Sequence, residues 1–175
     1  MQHPTLASVF LAATLLAVPG LAQAQSQNPP AAAARTARPA YGSPLALEQA
    51  RRVVAAGQAR ARELKVPDGV AIAVLDSRCH ASLIEVQDGS SAGVAPVAQD
   101  KAYTACAFRV DTQASQKFLA GGGSGAIMLK LRDFTPIEGG KMIVSGGKLV
   151  GAVGVSGGTS AEDAEIANAA AAALN

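Results

Sequence analysis

The sequence predicts an α+β domain, an antiparallel β-sheet flanked by helices in the order αββα(α)ββα. Three observations carry this expectation. Two pairs of short apolar runs of strand length stand close together, Val70–Leu75 with Ala81–Val86 and Met142–Ser145 with Lys148–Val155. The second pair is joined by Gly146-Gly147, a dipeptide suited to the left-handed backbone of a tight hairpin. Helical periodicity precedes, separates and follows the pairs. Hairpin neighbours pair antiparallel, which favours α+β over a doubly wound parallel sheet.

The first helix is expected over Leu47–Lys65. Leu47, Ala50, Val54, Ala61 and Leu64 share a face, and Glu48 with Arg52 forms an i,i+4 pair. Pro67-Asp68-Gly69 turns the chain into the first strand, and Asp76-Ser77-Arg78-Cys79 turns it again. Pro96–Arg109 reads as a helix with proline in its first turn. Val97, Lys101, Thr104 and Phe108 form one of its stripes, and Ala98, Ala102 and Ala105 a neighbouring stripe that permits close backbone packing. Asp111-Thr112 caps a short helix through Leu119, which ends in the glycine loop 121–125. Residues 127–140 show no clear period. A last helix, Ala161–Leu174, opens on a capping box, Thr159 with Glu162 or Ser160 with Asp163.

Ahead of the domain, Leu6–Val18 is an apolar run followed by the small-x-small site Ala22-Gln23-Ala24. This pattern predicts a signal peptide, residues 1–24, and a periplasmic or secreted, oxidising location. Residues 25–44 hold four prolines and an alanine run and read as a disordered or extended linker, leaving residues 45–175 as the domain. A net charge of +2 is too small to suggest nucleic acid. Residues 35–65 nevertheless carry seven basic and two acidic side chains, so the basic first helix is a candidate surface for a sensor partner or a membrane.

A phosphate loop is missing, since neither Gly140-Lys141 nor Gly147-Lys148 has its glycine and its following Ser or Thr. After residue 24 the one histidine is His80, which excludes a three-histidine metal site. His80 stays a candidate single ligand, and Glu162 with Glu165 a candidate carboxylate pair for iron or another hard cation, against the simpler role of balancing the helix dipole. Two cysteines leave alternatives open. Cys79 and Cys106 pair, or Cys106 is a buried small side chain and Cys79 an exposed reactive thiol, an intermolecular bridge or a thiolate ligand.

Several segments occur together in order: Ala71-x-Ala-Val-x-Asp76 with His80, Lys101-Ala102-x-Thr104-Ala105, Ile137-x-Gly139-Gly140, and Gly151-Ala152-x-Gly154-Val155-Ser156-Gly157-Gly158-Thr159. This set resembles the GlcG/HbpS-type haem-binding family, which also includes the C-terminal domain of PduO-type proteins, over about Leu45–Leu174. The resemblance implies an antiparallel sheet with helices, a homo-oligomer, haem as cofactor and a link to iron or oxidative stress. Relatives tied to glycolate imply the alternative of an enzyme or accessory factor for a small hydroxy acid, and a purely structural oligomer is a further alternative. The chain departs from the family pattern at Cys79, where glycine is usual, at Val86-Gln87-Asp88-Gly89, which lacks an arginine, and at Met142, where proline is usual.

The implied haem site draws on Lys101, Thr104 and Phe108, with Thr104 on the iron side and Lys101 as a cation. Structural roles compete with these: Thr104 bonding back to its own helix, and Lys101 paired with Asp76. His80 is the one strong nitrogen ligand. Ser156 and Gly157 open on the last helix's N-terminus, where free N–H groups suit an anion. Only six aromatic residues are present, which points to a shallow or subunit-interface site rather than an aromatic cage.

Overall fold

The computed structural model describes residues 37–174. The expected signal peptide and the first part of the linker lie outside the described residues. Five strands and four α-helices follow in the order β1 (Ala40–Tyr41), α1 (Leu47–Leu64), β2 (Ala71–Asp76), β3 (Ala81–Val86), α2 (Val94–Phe108), α3 (Thr112–Ala120), a 3₁₀ segment (Gly123–Lys130), β4 (Gly140–Ser145), β5 (Lys148–Ser156) and α4 (Ser160–Ala172). The α+β class and the order of the main elements are as the sequence predicts.

β5 is the organising strand. It pairs antiparallel with β2 and with β4, and β3 adds outside β2. The β4–β5 turn places Gly146 at φ 55° and Gly147 at φ 73°, a conformation that glycine adopts without a Cβ penalty. β1 makes the sheet mixed. Ala40 and Tyr41 pair parallel to Lys148 and Leu149, beyond the end of β2. The end of the expected linker therefore joins the sheet, and the Gly42 and Leu45 N–H groups donate to β5 carbonyls at 2.7 and 3.1 Å. The proline-rich composition hid this two-residue strand.

Alternation along the strands builds three layers. Val70, Ile72, Val74, Ile143, Val153 and Val155 face α1 and α4, whose Val53, Val54, Ile166 and Ala170 complete one core. Ala71, Ala73 and Leu75 face α2 through Ala98 and Ala102. Leu47 and Leu64, expected on the buried face of α1, are not fully covered. Leu47 is 47% exposed, and Val53 and Gly57 take up the packing instead. Glu48 pairs with Arg51, not with Arg52.

The small stripe of α2 rests on the glycines of β4 and β5. A Cβ at Gly154 would collide with the Ala98 carbonyl oxygen and approach the Ala102 nitrogen to 2.6 Å. Gly140 likewise leaves no room for a Cβ against the Lys101 carbonyl. Glycine at 140 and 154 is thus a packing requirement, because helix backbone meets sheet backbone there, while Gly151 makes room for the Leu45 side chain on the other face.

Candidate functional site

The stripe expected to face a ligand is covered by the chain itself. Thr104 is fully buried, and its Oγ1 accepts the Thr135 N–H at 2.8 Å rather than bonding back to α2. Phe108 meets Phe134 edge to face at a centroid separation of 4.9 Å. Lys101 is 2% exposed, and its Nζ donates to Asp163 at 2.6 Å and to the Val155 carbonyl at 2.9 Å. The alternative pairing of Lys101 with Asp76 does not form. Residues 134–139, which had no readable period, roof this stripe, and a further bond from the Glu138 N–H to the Gln116 side chain holds them down. Lys101, Thr104 and Phe108 come together, but as the floor of a closed contact.

The anion site expected at Ser156 and Gly157 is filled by the helix's own carboxylates. The Gly158 N–H donates to Asp163, and the Thr159 N–H to Glu162, in the expected Thr159–Glu162 capping box. The bonds from the Thr159 N–H and hydroxyl hold the Glu162 carboxyl below its ordinary range. Glu165 is engaged by Arg60 of α1. Glu162 and Glu165 therefore do not converge on a cation, and among the described residues no three His, Cys, Asp or Glu side chains cluster as metal ligands.

Cys79 and Cys106 form a disulfide, which settles the alternatives the sequence left open. Cys79 is neither a free thiol nor a thiolate ligand in this form. The bridge ties the β2–β3 turn to α2, and that turn is built around Asp76. The Asp76 carboxylate accepts the Arg78 and His80 N–H groups at 2.8 and 3.1 Å and the Arg78 guanidinium at 2.6 and 2.9 Å. Burial pushes the Asp76 carboxyl up, but these donors together outweigh it, and the group sits below its ordinary range.

A depressed carboxyl adds stability above its unfolded pKa and loses it as pH falls through the folded one. For Asp76→Asn, urea titrations should show a stability deficit against wild type that is constant above about pH 5 and shrinks below about pH 4. A deficit independent of pH down to the acid limit would contradict the assignment. Asp163 titrates in the opposite sense (burial raises its carboxyl more than Lys101 lowers it), so subtracting the variant curve is what isolates Asp76.

Beside this turn opens a cleft of about 310 Å³, lined by Leu75, Cys79, Ala81, Gln99, Asp100, Tyr103 and Asp133. His80 lies between two of these lining residues in sequence, and it is exposed. Tyr103 is 38% exposed. Sequence reasoning did not single out Gln99, Asp100, Tyr103 or Asp133. The first three fall at i, i+1 and i+4 on the side of α2 away from the alanine stripe, a spacing that was legible. Asp133, at φ 55° in the unperiodic segment, was not.

A family described as "Haem degrading protein HbpS-like" matches residues 45–172. An uncharacterized 15.0 kDa protein from the dhaT-dhaS intergenic region of Citrobacter freundii is 31% identical over 128 residues, 72% of this chain and 89% of that one. Protein GlcG of Escherichia coli K12 is 37% identical over 112 residues, 64% of this chain and 81% of its own. Among solved structures, a double mutant of HbpS from Streptomyces reticuli superposes with a TM-score of 0.68 at 28% identity, covering 83% of this chain and 99% of that one. A PduOC–haem complex superposes with a TM-score of 0.68 at 24% identity, over 75% and 96%, and shows the same fold. On the match across residues 45–172, the chain belongs to the HbpS-like family.

Proposed function

We propose that this chain is an exported haem-binding protein that holds haem at the cleft between the β2–β3 turn and α2. The observation that carries the reading is the placement of His80, exposed and flanked by the cleft-lining Cys79 and Ala81. Haem requires apolar walls, an axial donor and partners for its propionates, and its iron supplies ligand-binding and redox chemistry when bound. Leu75, Ala81 and the Tyr103 ring would give walls, His80 a nitrogen, and Arg78, 66% exposed in the same turn, a cation. Asp100 and Asp133 in the lining would repel the propionates, which would then point out of the cleft. The shallow cleft matches the scarcity of aromatic residues.

Export rests on the Leu6–Val18 run and the Ala22-Gln23-Ala24 site. Assembly as a homo-oligomer is supported by exposed apolar side chains at Phe118, Ile127, Leu129 and Leu131. A role in iron handling or oxidative-stress sensing would use a partner. Arg52 and Arg62, exposed on α1, and Lys65 at its C-terminal end offer the surface for a sensor protein or an anionic membrane.

Haemin titrated into the purified protein should give a saturable Soret shift at micromolar concentration. His80→Ala should weaken binding about tenfold or more, the equivalent of about 1.4 kcal/mol. Thr104→Ala should leave the haem spectrum in place, since Thr104 is roofed by Thr135. No saturable shift for the wild type would reject the reading, and an unaltered His80→Ala spectrum would reject the ligand.

A further inference from the structure

We infer that the Cys79–Cys106 bridge is a redox-operated latch, opened by a dithiol without loss of the fold, which then presents the Cys79 thiol in the cleft wall beside His80. The latch stands on the geometry below. Its use as an iron ligand rests on the haem reading above.

The two sulfurs are unequally placed. Cys106 is fully buried, whereas Cys79 is half-buried and lines the cleft. An incoming thiolate therefore reaches only Cys79. Its attack on the Cys79 Sγ breaks the S–S bond, and Cys106 leaves with the bonding electrons and takes up a proton. The second thiol of the reductant then attacks the mixed disulfide and releases Cys79. The protein gains two thiols, and the dithiol becomes a disulfide.

Both states have a place in the fold. The Cys106 Sγ lies 3.5 Å from the Asp76 carbonyl oxygen. A bridged sulfur carries no proton, so this contact becomes a hydrogen bond only after reduction, when the buried thiol needs an acceptor. The turn bearing Cys79 is also held without the bridge. Asp76 donates its N–H to the His80 carbonyl at 2.8 Å, the Cys79 N–H donates to the Asp76 carbonyl at 2.9 Å, and the Asp76 carboxylate grips Arg78 and His80. Opening the bridge thus changes the chemistry of the cleft more than its shape. The reduced wall offers a thiol next in sequence to the exposed His80, and the oxidised wall a bridged sulfur in its place.

Treatment of the purified protein with millimolar dithiothreitol in native buffer, followed by timed alkylation and mass spectrometry, tests the latch. Both cysteines should be reduced, Cys79 should alkylate at least about tenfold faster than Cys106, and near- and far-UV circular dichroism should be retained. A bridge that resists until the protein is denatured, or reduction that abolishes the near-UV signal, overturns it. Haemin spectra of the reduced protein, the oxidised protein and the Cys79→Ser/Cys106→Ser variant test the ligand role. A Soret position unique to the reduced wild type supports it, and one shared by all three overturns it. Absence of haem binding in every form rejects the haem reading, while the alkylation result still decides the latch.

Discussion

Replacing Gly154 by alanine is expected to be among the most damaging single substitutions in the domain. The new methyl group would occupy the space of the Ala98 carbonyl oxygen, with the Ala102 nitrogen at 2.6 Å and the Ala102 methyl at 3.0 Å. Two of these three neighbours are backbone, so rotamer change cannot relieve the collision. Either α2 lifts from the sheet or the centre of β5 bends. Overpacking of a core ordinarily costs about 1–3 kcal/mol, and a clash against backbone on a central strand belongs at or above the upper end. A large fall in the urea midpoint, or failure to accumulate folded protein, is the expected result. Gly89→Ala is the contrasting substitution, since a Cβ there meets only the Asp68 carbonyl at 3.8 Å. Its φ of 86° still adds some strain, but far less than the Gly154 collision should cause. Similar midpoints for the two variants would contradict the close seam described for α2.

The Lys101–Asp163 pair should give the second large effect, and an asymmetric one. Both side chains are almost wholly buried, and the bond joins α2 to the first turn of α4. Asp163→Ala leaves an ammonium without its counter-charge and frees the Gly158 N–H; Lys101→Met leaves the carboxylate. Removing one partner of a buried pair costs about 3–5 kcal/mol. Removing both, as in Lys101→Met with Asp163→Leu, should cost much less than the sum, because burying two charges is itself unfavourable. The raised Asp163 carboxyl has that physical origin, with burial outweighing the bonds from Lys101. A double-mutant cycle in urea measures the difference. Additive losses would mean that the two charges do not act as a unit.

Local chemistry was readable in the chain, and distant pairing was not. The Gly146-Gly147 hairpin, the Thr159–Glu162 box and the alanine stripe of α2 each depend on residues a few positions apart, and each is found as expected. Asp76 was the structural alternative for Lys101, yet its partner lies 62 residues away on α4. The roofing of Thr104 was invisible for a related reason. The Thr135 N–H comes from a segment whose shape is fixed by what it covers and not by its own period. β1 escaped because two residues among prolines carry no pattern. Lys101, Thr104 and Phe108 share one helical stripe, as their spacing implies, and Asp163, Thr135 and Phe134 cover them. The cleft residues lie on the other side of the same helix.

The contact of α2 with the glycines of β4 and β5 has a bearing on recognition. A helix seated backbone on backbone has almost no room to slide or roll. Gln99, Asp100 and Tyr103, on its outward side, are therefore carried on a stiff mount. A ligand settling into that cleft would find its contacts already in position and would have to immobilise only side-chain tips and the 133 region. The entropy lost on association falls accordingly. Tight helix seating on one face can thus give a shallow, aromatic-poor cleft on the other an affinity that its depth alone would not suggest.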